Sequence, residues 1–233
     1  MAAGSEPSDA RGRQLIGKVA LITGAAAGPG RAAAQLFADH GAAIVVADVN
    51  DAGARETVDR IEKDGGRATA LHADVSIRAD CDAMVATAIE TFGRLDVLYN
   101  TAATRMSSRL VETSEEKWDD TIATNLSASF WSCRAAIPHM LAGSGGAIVN
   151  SAMTLGSPGS ESVAAYRPAE AGLIALTRQI AGEYGPHIRA NVIASGSIDP
   201  DDAARVALFL AGDASAYVSG AVIPCTDGRV ERR

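Results

Sequence analysis

Three glycines spaced as Gly24-x-x-x-Gly28-x-Gly30, directly after the apolar run Val19-Ala-Leu-Ile22, are the residues whose types and spacing point most plainly to chemistry. Glycine lets a backbone turn tightly and approach a pyrophosphate. The free N–H groups and positive dipole end of a following helix then attract the phosphate charge. The spacing alone reads equally as a strand-to-helix turn, so context decides: an unalternating apolar strand before, an Ala-rich helical pattern after, and an acid closing the next apolar run, Ala43-Ile-Val-Val-Ala-Asp48. A carboxylate at Asp48 accepts hydrogen bonds from the adenosine ribose diol of a dinucleotide and repels a phosphate on that sugar, so NAD is preferred over NADP. Ala27 agrees, since it offers no basic side chain to such a phosphate. Pro29 pulls the other way. It suits the first helical position but lacks an N–H, and the loss of one phosphate donor costs about 1 kcal/mol, so weakened binding is expected rather than none.

Two more polar positions fall at the ends of apolar runs. In Ala73-Asp-Val75, the Asp74 carboxylate and the backbone at Val75 either hold the adenine or form a helix-capping turn. In Leu98-Tyr-Asn-Thr-Ala-Ala103, Asn100 either ties strand ends together at the ligand-binding edge of a sheet or serves as a turn residue.

The elements that must position these residues alternate along the chain. Strands are predicted at Lys18 to Thr23, Ala43 to Asp48, Arg67 to His72, Leu95 to Tyr99, Ala147 to Ser151, Ile188 to Ile193 and Ala221 to Pro224. Helices fill the intervals. One runs from Arg31 to His40 and is closed by Gly41; the next is capped by Asn50 or Asp51 and ends near Gly65-Gly66. Another starts at Ser76, carries the apolar stripe Met84, Val85, Ala88, Ile89 and Phe92, and stops at Gly93. This rhythm predicts an α/β fold with a single doubly wound parallel sheet of about seven strands and helices on both faces.

A chain of 233 residues with 47% hydrophobic content can bury one large core, so one domain over residues 14–233 is expected. Residues 1–13 lack an apolar signal core and a helical period, and read as a disordered tail. A net charge of −7 offers no basic stripe for nucleic acid or anionic lipid, and no apolar run approaches membrane-spanning length. Cys81, Cys133 and Cys225 lie outside any metal spacing and read as reduced, buried thiols of a cytoplasmic protein; no metal site is expected.

Thr23-Gly24-x-x-x-Gly28-x-Gly30, Asp48, Asp74, Asn100, Asn125, Tyr166 and the strand Arg189-Ala-Asn-Val192 together resemble the short-chain dehydrogenase/reductase family, from about Gly17 to Gly228. The resemblance implies a Rossmann-like domain that binds NAD or NADP. It also implies a Ser-Tyr-Lys group with a helix Asn, in which Tyr is acid or base, Ser polarises a carbonyl, and Lys binds the nicotinamide ribose and lowers the Tyr pKa. Tyr166 and Asn125 match that pattern, and the rest departs from it. The family's Tyr-x-x-x-Lys is Tyr166-Arg-Pro-Ala-Glu170 here, with both ends on one helix face one turn apart. A carboxylate there disfavours the phenolate and leaves Tyr166 near the ordinary phenol value of about 10 or above. Glu170 can still accept hydrogen bonds from a ribose diol, or form a surface or interface ion pair. Met153 stands at the serine position and cannot donate a hydrogen bond, with Ser151 and Thr154 the nearby hydroxyls. Without the lysine, Asn125 kinks or braces its helix.

Further departures concern the substrate. Ser195-Gly196 replaces the family's Pro-Gly, and a helix from Asp201 to Ala211 follows almost at once, so the substrate-binding loop is shortened and water is less well excluded. Asp227-Gly-Arg229 replaces the terminal Asp-Gly-Gly. Arg105 and Arg109 either face an acidic ligand or sit in a solvated loop. The helices around Lys117 to Leu141 and Ala164 to Tyr184 are those by which family members pair. Trp118, Phe130 and Trp131 supply apolar area for a homodimer or homotetramer, or for internal core. The expected function is that of an NAD(H)-binding protein, by lineage an oxidoreductase of a small hydroxyl or carbonyl substrate, with Ser-Tyr-Lys hydride transfer impaired. The alternatives are a cyclase, lyase or dehydratase using Tyr166 as an acid, and a noncatalytic dinucleotide-binding regulatory or partner subunit.

Overall fold

Runs that are apolar at every position form strands here because both faces of the sheet are covered. The computed structural model describes residues 12–104, 106–153 (of Met153 the backbone), 163–196 and 199–226; Arg105, Thr154 and Asp227-Gly228-Arg229 lie outside them. The strands are β1 (Val19–Thr23), β2 (Ala43–Asp48), β3 (Arg67–His72), β4 (Val97–Asn100), β5 (Gly146–Met153), β6 (Ile188–Ser195) and β7 (Val222–Cys225). All pair in parallel, in the order β3-β2-β1-β4-β5-β6-β7. The helices are α1 (Gly28–Asp39), α2 (Asp51–Lys63), α3 (Arg78–Phe92), α4 (Glu115–Ile122), α5 (Ala128–Ala142), α6 (Tyr166–Tyr184) and α7 (Pro200–Ala211). The doubly wound, Rossmann-like sheet read from the sequence is therefore what the chain builds.

Alternate residues of each strand enter two separate cores. Ala20, Ile22, Ile44, Val46, Tyr99 and Ile193 pack with Phe37 of α1, Ile61 of α2 and Leu208 of α7. Val19, Leu21, Val45, Leu98, Ile148 and Ile188 pack with Met84 of α3, Ile137 of α5 and Ile180 of α6 on the opposite face.

Local signals set the helix ends. Gly41 (φ +94°) follows α1, with its N–H on the Ala38 carbonyl and the Ala42 N–H on Phe37, the bond pattern that closes a helix through a left-handed residue. The Asn50 side chain accepts from Gly53 N at 3.1 Å to cap α2, and Gly93 (φ +81°) stops α3. The segment expected as one helix over Lys117 to Leu141 departs from that reading: a single π turn over Ala123–Ser127 separates α4 from α5. Such a turn is the usual signature of a side chain used for something other than helix packing, and here it contains Asn125.

β1 continues to β2 on one side and has β4 on the other, so the connections diverge at its carboxyl end. In doubly wound sheets this switch point is where the crevice for a ligand opens.

Candidate active site

The glycine loop sits at that crevice. Gly24 adopts φ +66°, and a Cβ there would lie 2.8 Å from Cα of Ala102, just past β4. A Cβ on Gly30 would lie 2.3 Å from the Gly24 carbonyl oxygen, so α1 can begin against the loop only if Gly30 has no side chain. Gly28 (φ +52°) differs, because a Cβ there would meet nothing within 4 Å. The crest of the loop thus faces open space. Helix α1 starts with no side-chain cap and no acid in its first turn, which leaves its first N–H groups without a side-chain partner among the described residues.

Asp48, at the tip of β2, is half-buried. Its Oδ2 accepts from Ala26 N at 2.9 Å and its Oδ1 from Asn50 N at 2.9 Å, so the residue braces the loop. Asp74 closes a turn: its Oδ1 accepts from Ser76 N at 2.9 Å and Ser76 Oγ at 2.7 Å, and its own N–H donates to Asp80 at 2.9 Å. That is a turn ahead of α3 and not a cap of it, since α3 begins after Ile77 with no side-chain cap; the neighbouring Val75 is buried in the core. On the other side of the switch point, Thr23 Oγ1 accepts from Thr101 N at 3.1 Å and Ala102 N at 3.2 Å, fixing the chain as it leaves β4.

Asn100 is buried and ties neighbouring strands. Its Nδ2 donates to Asn150 Oδ1 at 2.9 Å across paired positions of β4 and β5, and its Oδ1 accepts from Ser132 Oγ of α5 at 2.9 Å. Asn150 Nδ2 donates in turn to Thr177 Oγ1 of α6 at 2.8 Å. Sequence reasoning missed Asn150, Ser132 and Thr177. The available signal was the asparagine interrupting the apolar run Ala147-Ile-Val-Asn150.

Asn125 uses both ends of its amide on one residue, accepting from Thr104 N at 2.9 Å and donating to Thr104 O at 2.8 Å. It braces the segment beyond β4. Gly172 of α6 packs against Leu126, where a Cβ would approach Cδ2 to 2.8 Å, so α6 lies close to the Asn125 turn.

Tyr166 opens α6 and is 7% exposed, and Glu170, one turn on, is 3% exposed. Glu170 is therefore not a surface glutamate. Met153 closes β5 opposite Ser195, the last residue of β6, and α7 begins only five positions later at Pro200. Ser151 flanks the Tyr99 phenol, as does Thr101. Burial pushes that phenol up to about 12, and its buried hydroxyl makes no hydrogen bond among the described residues. Tyr99 belongs to the core beneath α1 and α7. Arg109 is exposed, as are Trp118 and Phe130, while Trp131 is half-buried.

The family model described as short chain dehydrogenase matches residues 18–208. The chain belongs to the short-chain dehydrogenase/reductase family. It is 36% identical over 241 aligned residues to a subunit of (2S)-[(R)-hydroxy(phenyl)methyl]succinyl-CoA dehydrogenase from Thauera aromatica, covering 91% of this chain and 96% of that relative. It is 33% identical to the 3-oxoacyl-[acyl-carrier-protein] reductase of Thermotoga maritima, covering 93% and 99% of the two chains. A crystal structure of a short chain dehydrogenase from Mycobacterium smegmatis superposes with a TM-score of 0.88 at 33% identity, covering 94% of this chain and 95% of that one. Short-chain dehydrogenases bind nicotinamide dinucleotides, and the residues here fit such a group: an open loop crest at Gly28, an uncapped α1 terminus and a carboxylate at the end of β2. Among the described residues no helix is long and apolar enough to cross a membrane, and no cluster of His, Cys, Asp or Glu could hold a metal.

Proposed function

We propose that this short-chain dehydrogenase binds NAD(H) in preference to NADP(H), with weakened affinity, and descends from oxidoreductases of hydroxyl or carbonyl compounds while having lost the proton-handling part of the site. Gly24, Gly28, Gly30 and the α1 terminus would hold the pyrophosphate, Asp48 the adenosine ribose, and Asp74 with Val75 the adenine. Asn100 braces the strands below, and Glu170 would accept hydrogen bonds from the second ribose. When bound, the dinucleotide supplies the hydride acceptor or donor.

The observation that carries this reading is Glu170, a buried carboxylate one turn after Tyr166 on the same helix. A base that takes a hydroxyl proton near neutral pH needs its anion stabilised, and a neighbouring cation does that where a carboxylate opposes it. Tyr166 then holds its proton at the phenolic oxygen. Met153 supplies no hydrogen bond to a carbonyl. The short connection from β6 to α7, a contracted form of the substrate loop in the domain spanning 14–233, leaves the cleft less shielded from water.

A second reading is a noncatalytic, dinucleotide-binding partner subunit. It is favoured by the relative from Thauera aromatica, which is named as a subunit of its dehydrogenase. It is also favoured by the exposed Phe130 on a groove between α5 and α6 that includes Ile137, Leu176 and Tyr184, and by the exposed Trp118 on α4. The same surface serves a homodimer or homotetramer of a cytoplasmic protein.

Calorimetry with NAD and with NADP tests the cofactor claim. NAD is expected to bind the tighter, and absence of binding by either at millimolar concentration refutes it. The chemistry is tested by NADH formation over a panel of alcohols, comparing the native chain with Glu170→Lys/Met153→Ser. Turnover by the native chain as fast as by the double variant contradicts a damaged site.

A further inference from the structure

The two peptide units at the bend of the glycine loop are held from behind by side chains of α1 and α2. Thr57 of α2 is fully buried, and its Oγ1 lies 2.9 Å from the Ala25 carbonyl oxygen and 3.0 Å from that of Gly53. Arg31, in the first turn of α1, donates from Nε to that same Thr57 oxygen at 3.0 Å. Accepting from the guanidinium leaves the hydroxyl proton free to be given to the loop carbonyl. The Nη2 of Arg31 donates to the Ala26 carbonyl and, at 3.3 Å, to that of Gly53. Glu56 of α2 pairs with the same nitrogen at 2.9 Å and holds the guanidinium on the α2 side. Arg60 and Arg31 together keep the Glu56 carboxyl below its ordinary value.

A trans peptide unit points its C=O and N–H in opposite directions. The unit joining Ala25 and Ala26 is anchored at both ends, its carbonyl by Thr57 and its N–H by Asp48. The next unit, joining Ala26 and Ala27, has its carbonyl turned toward Arg31, so its N–H faces away from α2. Gly28, the next residue along, borders the open space at the loop crest. Preorganised N–H donors are what an anion site requires, because a loop that must reorient on binding gives up affinity to do so.

We propose that Arg31 and Thr57 are positioning residues of the phosphate-binding loop, fixing the direction of its peptide units from the side opposite the ligand. This rests on the reading that the loop binds a dinucleotide. The test is the affinity for NAD of native protein, Thr57→Val, Thr57→Ser and Arg31→Met, measured by calorimetry well below each melting temperature, with folding verified by circular dichroism. Thr57→Val conserves shape and removes the hydroxyl. It is expected to weaken NAD binding about tenfold, the effect of one hydrogen bond lost from a preorganised site, while Thr57→Ser restores native affinity. Arg31→Met, which serves also if Thr57→Val does not fold, is expected to weaken binding at least as much. A purely structural role would lower the melting temperature and leave the affinity of the folded protein unchanged, and that result overturns the inference alone. Failure of the native protein to bind NAD overturns both the inference and the cofactor reading beneath it.

Discussion

Asn100 and Asn150 occupy register-matched positions on β4 and β5 and share a 2.9 Å hydrogen bond between their side chains, both buried where the two strands approach the cleft. The bond is one link in a chain from Ser132 on α5 to Thr177 on α6, with every member buried. Truncating Asn150 removes the acceptor of Asn100 Nδ2, which keeps only the Cys133 sulfur at 3.7 Å, and the donor to Thr177 Oγ1, which keeps its own bond to the Leu173 carbonyl. Buried polar groups that lose a partner cost up to about 1–3 kcal/mol each. Asn150→Ala is therefore expected to destabilise the fold by about 2–4 kcal/mol in urea denaturation with an unchanged m value, and a change below about 0.5 kcal/mol would contradict the network.

The Asn125 amide pairs with Thr104 through one donated and one accepted bond. Asn125→Asp keeps an acceptor for Thr104 N and loses the donor to Thr104 O, so it should destabilise by about 1–3 kcal/mol in thermal unfolding. Asn125→Ala loses both bonds and should lower the melting temperature at least as far. The backbone turn around residue 125 is the link between its sequence position and this brace.

Gly28 and Gly30 predict opposite patterns. Gly30→Ala places a Cβ against the Gly24 carbonyl, so the loop must shift, and both stability and NAD binding should fall. Gly28→Ala meets no atom and carries only the strain of its positive φ, about 1–2 kcal/mol. Its crystal structure should show an undisturbed start of α1, whereas Gly30→Ala should displace it.

Much of this was legible in the chain itself. β2 and β3 fall where their apolar runs begin and end, and Gly41, Asn50 and Gly93 stand at the helix ends their chemistry dictates. The edges of β4 and β5 were harder to place. Asn100 looks like a turn residue in a linear reading, yet it bonds to Asn150, inside the predicted strand Ala147 to Ser151, and so continues β4 by one residue. The π turn is invisible for a similar reason, since Asn125 departs from helical geometry to reach Thr104, which is close in space and 21 positions away in sequence. Asp74 reads in the sequence as a helix-capping turn or an adenine contact, and its bonds to Ser76 make a turn that stops short of capping α3, whose N-terminus has no side-chain cap.

Alkaline pH should weaken the fold through buried groups unrelated to the cleft. Burial raises the Cys81 thiol to about 11, the Cys133 thiol to about 12 and the Tyr99 phenol to about 12, from ordinary values of 9.0 for the thiols and 10.0 for the phenol. Over that interval the unfolded chain releases protons that the folded chain retains, so unfolding becomes more favourable as pH rises. Stability measured in urea should be level with respect to these groups below pH 9 and decline from there toward pH 12. The folded thiols should resist alkylation at pH 8 and become reactive on unfolding.

The central claim concerns the proton on Tyr166, and an ultraviolet difference titration, native protein minus Tyr166→Phe, isolates that residue from the other three tyrosines. With Glu170 in place of a cation, Tyr166 should remain a neutral phenol through about pH 9. Ionisation of Tyr166 near neutral pH would contradict the account.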